Sequence, residues 1–356
     1  MESTSQIRTV EAKCYCGGVH FTLDIPVANL PLKTYLCHCS ICRYNTGTLA
    51  NIHTTLGEGV EPKWVAPSSA DNLVSYQIPN VAYTPQSCST CGCHVGGVGQ
   101  DDGLWTLATV LLKEHDRGLV NIALHVFSKS AGDGGLAGIL THVQGKAVGA
   151  WNPKDDEPNA VVVKPKPEVG ADGKERLRAQ CHCGGVSFTI PRPSREMAEH
   201  ADAKHFVSPV DSTKWYGTLD LCNDCRLING TPVASWIFVP ANAIEPAVGE
   251  DLKIGTIKTY SSSEGVTRAF CSVCSATIFF MKHSRRYNGV PVVDVSTGLL
   301  RAPEGAMAEN WITWRTRCSF EGDGLAFDKD MAEGIIEGMK KWTAEKNNGE
   351  ILTGEI

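Results

Sequence analysis

No stretch of the sequence approaches the ~18–20 uninterrupted apolar residues that a membrane-spanning helix needs. The first six residues, Met1 to Gln6, are polar and lack the apolar core of a secretory signal. There is no block of Lys or Arg either: 33 basic residues stand against 39 acidic ones, a formal net charge of −6. Such a balance gives neither nucleic acid nor an anionic membrane an electrostatic reason to bind. These absences point to a cytoplasmic protein whose partners are neither nucleic acids nor membranes. A last absence concerns position: no cysteine falls between Cys93 and Cys181, although the chain carries 15 of them.

In a reducing compartment fifteen thiols, an odd number, are poor material for a disulfide framework. They read better as metal ligands or buried small hydrophobes. At 356 residues the chain is also too long for one small stapled scaffold. It divides more naturally into two domains of roughly 150 residues, each able to bury a core.

Spacing separates the cysteine roles. The first half reads C-x-C (Cys14, Cys16), C-x-C-x-x-C (Cys37, Cys39, Cys42) and C-x-x-C (Cys88, Cys91). The second half repeats the order with Cys181 and Cys183, then Asp220, Cys222 and Cys225, then Cys271 and Cys274. The central and last motifs share an offset of 183 residues, while the C-x-C motifs are offset by 167. The difference predicts 16 inserted residues, placed around 192–215. A later shift to an offset of 188, matching Ala108-Thr109-Val110-Leu111-Leu112 to Ser296-Thr297-Gly298-Leu299-Leu300, predicts about five more near 283–288. Flanking residues keep the register: Cys16-Gly17-Gly18-Val19 matches Cys183-Gly184-Gly185-Val186, and Cys42-Arg43 with Gly47-Thr48 matches Cys225-Arg226 with Gly230-Thr231.

Short β-branched or aromatic runs bounded by turn residues predict strands at 19–23, 49–54, 105–112 and 122–127. Their counterparts lie at 186–190, 232–239, 277–281, 291–295 and 311–314. Met331, Ile335, Ile336, Met339 and Trp342 recur at helical spacing and predict a C-terminal helix packed on the second domain, with the chain fraying from Asn347 onward. The fold class is mainly β, with domains at 7–150 and 177–325, a Pro-rich connector at 151–176, and the helix and tail at 326–356. The alternative for the connector is an ordered surface strand through 160–163.

Tetrahedral zinc takes four ligands in a closed structural site and three in a site that keeps a position for water or substrate. Cys14, Cys16, Cys88 and Cys91 supply four thiolates and clamp the start of the domain to its middle, and Cys181, Cys183, Cys271 and Cys274 do the same in the second copy. The glycine after each C-x-C permits the tight turn that aims both thiolates at one ion. Cys37, Cys39 and Cys42 have no fourth ligand in the local sequence, which is the composition of a reactive zinc. The alternative is a closed site completed by Cys93, His94, His38 or a histidine brought in by folding. Asp220, Cys222 and Cys225 form a harder, weaker version of the trio, altered or metal-free. Cys93, where it is not a ligand, reads as a buried thiol, and Cys318 is left unassigned.

On these residues, together with Arg43, Arg226, Gly47 and Gly230, the sequence resembles two tandem domains of the glutathione-dependent formaldehyde-activating family, whose domain is shared with centromere protein V. The resemblance implies a β-tent fold, a structural zinc at each C-x-C/C-x-x-C pair and a second zinc at the central motif, so three to four zinc ions per chain. It also implies a carbon–sulfur lyase or synthase that joins glutathione, as co-substrate, to a small aldehyde.

In the resulting expectation, zinc at Cys37, Cys39 and Cys42 takes the substrate sulfur, Arg43 pairs with a glutathione carboxylate, and His38 or His125 shuttles protons. Packed histidines and a strand-bracing arginine are the competing readings. Three thiolates already outweigh the charge of the ion, which favours thiol binding over activation of water. Two rivals stand beside this function: a purely structural zinc module that binds a protein, and a specialised enzyme of small-molecule biosynthesis or detoxification with Trp105, Trp215, Trp236 or Trp311 lining its pocket.

Overall fold

A computed structural model describes residues 6–154, 165–166, 168–347 and 349–352. The alternative strand at 160–163 lies outside the described residues. The described chain is mainly β. Each half pairs a three-stranded sheet with a larger one, of eight strands in the first half and seven in the second.

The strands follow one order twice. In the first half the hairpin Ile7–Lys13/His20–Pro26 leads to Leu32–Cys37, helix α1 (Ser40–Thr46), Asn51–Thr55, Tyr83–Cys88, His94–Gly99 and Trp105–Leu107. In the second, Glu175–Gln180/Ser187–Pro191 leads, through the short helix α2 (Arg195–Glu199), to Trp215–Asp220, helix α3 (Asn223–Asn229), Ala234–Pro240, Val266–Cys271, Thr277–Tyr287 and Val290–Ser296. In both halves the strand that leads to the central motif pairs in parallel with a late strand, Val120–Val126 or Ile312–Trp314. The inserted residues expected around 192–215 form α2 and the turns after it.

Most predicted strands are present with shifted ends, and the exceptions have local causes. The strand expected over 105–112 stops at Leu107, where Thr109–Leu111 turns into a 3-10 segment. The long strands Leu32–Cys37 and Trp215–Asp220 and the helices α1 and α3 had no clear sequence signal. Each of these helices has seven residues, too short to show a period. The connector is also shorter than 151–176: Gly149–Trp151 pairs with the first half's large sheet, and Glu168–Val169 pairs with the strand Glu175–Gln180 of the second.

The halves meet face to face with near two-fold equivalence. Tyr15 N donates to Leu227 O at 3.2 Å, and His182 N donates to Tyr44 O at 2.9 Å, the same contact at the two sequence offsets. Gly47 and Gly230 end α1 and α3 in the left-handed region, at φ 80° and 65°. A Cβ on Gly47 would lie 2.2 Å from Thr277 O, and one on Gly230 would lie 2.0 Å from His94 O. Only glycine fits either position. Buried apolar residues form one connected core that runs through both halves.

The helix expected at the C-terminus is present as α5 (Lys329–Lys346), preceded by α4 (Glu321–Phe327) and capped by Asp328, whose side chain accepts from Met331 N. It buries Met331, Ile335, Ile336 and Met339 as the spacing requires. Its contacts are wider than expected. Gly338 sits against Ile139 O and Gly334 against His142 O of the first half, while Asp330 pairs with Arg117 at 2.6 Å. The segment after it does not simply fray: Leu352 is buried and exchanges backbone and side-chain hydrogen bonds with Thr316. No helix among the described residues is long and apolar enough to cross a membrane.

Candidate metal centres and the second-half cavity

Local backbone geometry aims the outer thiols at one point. Cys14 and Cys16 flank the turn out of the first strand, with Gly17 at φ 73°, and Gly184 repeats the turn at φ 74°. Cys88 and Cys271 end strands, and Cys91 and Cys274 lie in the turns that follow. The sulfurs of Cys14, Cys16, Cys88 and Cys91 all lie within 4.8 Å of one another, as do those of Cys181, Cys183, Cys271 and Cys274. Separations of 3.6 Å for Cys14–Cys16 and 3.5 Å for Cys16–Cys88, Cys181–Cys183 and Cys183–Cys271 are far longer than a disulfide bond. They approach the edge of a tetrahedron with zinc–sulfur bonds of about 2.3 Å, an edge of about 3.8 Å.

Backbone N–H groups point at these sulfurs, from Val19 to Cys14 and Gly18 to Cys16, and from Val186 to Cys181 and Gly185 to Cys183. The Cys16 thiol is pulled down to about 7 by its contact with Cys14, and that of Cys183 to about 7 by Cys274. Four buried or half-buried soft donors arranged in this way fit a structural zinc ion.

The central centres sit where a strand hands over to a helix. Cys37 ends its strand, Cys39 caps α1 by accepting from Cys42 N at 3.3 Å, and the Cys37 and Cys39 sulfurs are 3.5 Å apart. The cluster holds three ligands and no fourth among the described residues. In the second half Asp220 occupies the position of Cys37. Its Oδ1 accepts from Cys222 N at 2.9 Å, and its Oδ2 lies 3.4 Å from Cys225 Sγ and accepts from Trp236 Nε1 at 3.1 Å. Burial raises the Asp220 carboxyl, against those hydrogen bonds. Arg268 donates to Cys225 Sγ at 3.4 Å. Asp220, Cys222 and Cys225 again make a three-ligand set that fits a metal with one position open.

The two centres differ in what stands over them. In the first half Tyr35 and His53 are cross-strand partners, and the His53 ring lies 6.1 Å from the Tyr35 ring and 5.6 Å from the Tyr83 ring. Burial, with the Cys37 and Cys42 thiolates nearby, pushes the Tyr35 and Tyr83 hydroxyls up, and the Tyr83 hydroxyl finds no hydrogen-bond partner. The equivalent positions in the second half are Thr218, Trp236 and Val266, all of which line a cavity of about 930 Å³ that also reaches Asp220, Cys222 and Cys225.

Two further segments shape that space. The residues expected as an insertion at 283–288 lengthen one strand to Thr277–Tyr287 and bring Ser284 and Arg285 to the cavity wall. The segment 315–322 closes the other side. Arg285 pairs with Asp294 at 2.5 Å, and burial pushes the Asp294 carboxyl up to about 7 against the pull of that guanidinium.

The remaining candidates fall into structural positions. Arg43 is buried and donates to His38 O at 3.2 Å and Ser130 O at 3.3 Å, bracing the backbone. His38 and His125 form a buried chain, His38 Nε2 to His125 Nδ1 at 2.9 Å and His125 Nε2 to Leu140 O at 2.7 Å. Because His125 must donate to the carbonyl, its Nδ1 accepts and His38 donates. Burial holds the His38 imidazolium pKa down to about 3, so that chain is neutral. Cys93 is buried beside His94 and belongs to neither thiol cluster, while Cys318 lines the cavity. Of the four tryptophans only Trp236 lines it; Trp215 donates to Pro191 O, and Trp311 lies under Arg192.

Arg268, Arg285, Asp294 and Arg315 were not singled out by sequence. Comparing the halves in register would have exposed two of them: Arg268 falls opposite Pro85, and Asp294 opposite Thr106.

The family model described as glutathione-dependent formaldehyde-activating enzyme matches residues 9–130 and 209–315. The two matches span more than half of the chain, which therefore belongs to that family. The second match begins at residue 209, after Cys181 and Cys183 and within the insertion that separates them from the rest of the pattern. The fold nonetheless brings both to Cys271 and Cys274. No curated protein matches the chain at a significant level.

Proposed function

We propose, starting from membership of this family, that the protein is a zinc-dependent carbon–sulfur lyase or synthase acting on a glutathione-type thiol adduct, and that the second half receives the substrate. The observation that carries this reading is the cavity of about 930 Å³ over Asp220, Cys222 and Cys225. Expectation from spacing alone puts the reaction at Cys37, Cys39 and Cys42, where Tyr35, His53 and Tyr83 stand in the room a substrate would need.

A zinc ion with an open position stabilises a substrate thiolate. In the synthetic direction a carbon–sulfur bond forms as the thiol adds to a carbonyl, and the thiol proton passes to the carbonyl oxygen; the lyase direction reverses both changes. No oxidant or reductant is required. Trp236 and Cys222 N hold the Asp220 carboxylate in place, and Arg268 offsets charge at Cys225. Arg317, on the cavity wall, suits a carboxylate of glutathione.

The test combines zinc stoichiometry with turnover of glutathione plus an aldehyde. Cys222→Ala is expected to lose one zinc and more than about 100-fold of turnover. Cys39→Ala is expected to lose one zinc and keep most of the activity. Loss of turnover in Cys39→Ala with none in Cys222→Ala would return the reaction to the first half. Activity unaffected by both would favour a structural zinc module.

A further inference from the structure

The cavity is large for the chemistry proposed. Small-ligand sites run to roughly 300–1,000 Å³, and about 930 Å³ is near the upper end of that range. A one-carbon aldehyde beside a tripeptide thiol leaves part of it unfilled.

The walls say what fills the rest. Phe280 presents its ring to the space, Trp236 and Phe238 lie buried in the wall beside it, and guanidinium groups are layered with them. Arg268 Cζ lies 4.8 Å from the Phe280 ring centroid. Arg285 lies 5.1 Å from that of Phe238 and 5.9 Å from that of Phe280. Alternating rings and guanidinium planes make a surface that stacks on a flat π-system. The first half has nothing comparable: Thr55, Gly97 and Pro85 stand where Phe238, Phe280 and Arg268 stand here. Charge then fixes one end of the ligand. Arg285 is already matched by Asp294, whereas Lys282 lines the cavity with no ion pair to an acid among the described residues, on the same strand as Phe280. Arg268 stands on the adjacent strand, paired in register with Phe280.

We propose that the second-half cavity takes a planar aromatic molecule carrying a carboxylate, its ring against Phe280 and its acid toward Lys282 and Arg268. The assignment deepens the reading above and rests on it in one respect, that this cavity is the substrate site: an aromatic acid that also carries an aldehyde group is then the carbon partner, the thiol adding to that carbonyl and its proton passing to the carbonyl oxygen.

The test measures binding to the full zinc-loaded chain, by calorimetry or quenching of tryptophan fluorescence, with three probes. These are 2-naphthoate, the neutral naphthalene-2-methanol and the non-aromatic cyclohexanecarboxylate. Naphthoate is expected to bind at least about tenfold more tightly than either of the others. Lys282→Gln, at an exposed position, is expected to bring naphthoate down toward the neutral probe. The double variant Thr218→Tyr/Val266→Tyr copies the first half and is expected to abolish binding while zinc content stays the same. Equal affinity for the three probes, or naphthoate binding undisturbed in a folded double variant, would overturn the proposal. Selective naphthoate binding without any turnover would instead remove the carbon–sulfur reaction and leave the aromatic-acid site standing. Turnover without selectivity would do the reverse.

Discussion

Side by side, the two halves keep the same outer clamp and differ at the inner centre. Cys14, Cys16, Cys88 and Cys91 superimpose in role and spacing on Cys181, Cys183, Cys271 and Cys274, and the turns around them reproduce even the N–H contacts to sulfur. At the inner centre one thiolate becomes Asp220, two tyrosines become Thr218 and Val266, and a hairpin grows to deliver Arg285. Ligand sets that hold a fold together tolerate little change, because a buried thiolate without its metal and its partners is costly. Walls over an open coordination position are free to change. Space in this molecule therefore comes from smaller side chains over the centre together with a lengthened hairpin at its wall.

The clamp is where the halves should behave alike, and where the effects should be largest. Structural zinc sites contribute roughly 10–16 kcal/mol of apparent binding free energy at neutral pH. Cys91→Ser and Cys274→Ser are each expected to lose one zinc and to lower the thermal unfolding temperature sharply and by similar amounts, read by metal analysis and circular dichroism. Because the core and the contacts through Gly47 and Gly230 join the halves, each variant should unsettle both. A large loss from one variant beside none from the other would break the equivalence.

A smaller effect probes the crowded centre. Tyr83→Val gives the first half the residue that stands at position 266, and truncating this half-buried ring to Val costs less than the ~3–5 kcal/mol of a fully buried aromatic cut to Ala. Part of that cost should be offset, since the Tyr83 hydroxyl is buried without a partner. In the metal-free variant Cys39 should react with a thiol reagent several-fold faster than in the metal-free parent. Unchanged reactivity would mean that Tyr83 does not guard the thiols.

Much of this was legible in the sequence because the metal pattern is local. C-x-C and C-x-x-C place ligands within one turn, so offsets of 167 and 183 revealed both clamps and both inner trios. The insertion near 283–288 was legible as a shift in offset, but not as the source of Arg285. The cavity was hidden for a different reason: it depends on cross-strand neighbours, such as Tyr35 with His53 and Thr218 with Trp236, which are 18 residues apart. Helices α1 and α3 were hidden by their length. The reach of α5 to Ile139 and His142 was hidden because an amphipathic period shows that a helix buries a face and not what it buries it against.

Trp236 offers the finest cut between the halves. Its Nε1 donates to Asp220 Oδ2, and Asp220 Oδ1 is held by Cys222 N, so both oxygens of the carboxylate are oriented before any metal arrives. His53, at the equivalent place, packs between Tyr35 and Tyr83 instead. Losing an outer partner of a metal ligand typically costs about 10–100-fold in metal affinity. Trp236→Phe keeps a ring near Phe280 and removes only the donor, so the expected loss falls on the second-half inner site alone. A chelator competition in a Cys39→Ala background, where that site is the one inner centre left, reads the change directly. His53→Phe in a Cys222→Ala background should shift the first-half inner site by less than about threefold. If both substitutions weaken zinc equally, the orienting bond to Asp220 is not what distinguishes the centres, and the difference between them reduces to the exchange of sulfur for oxygen.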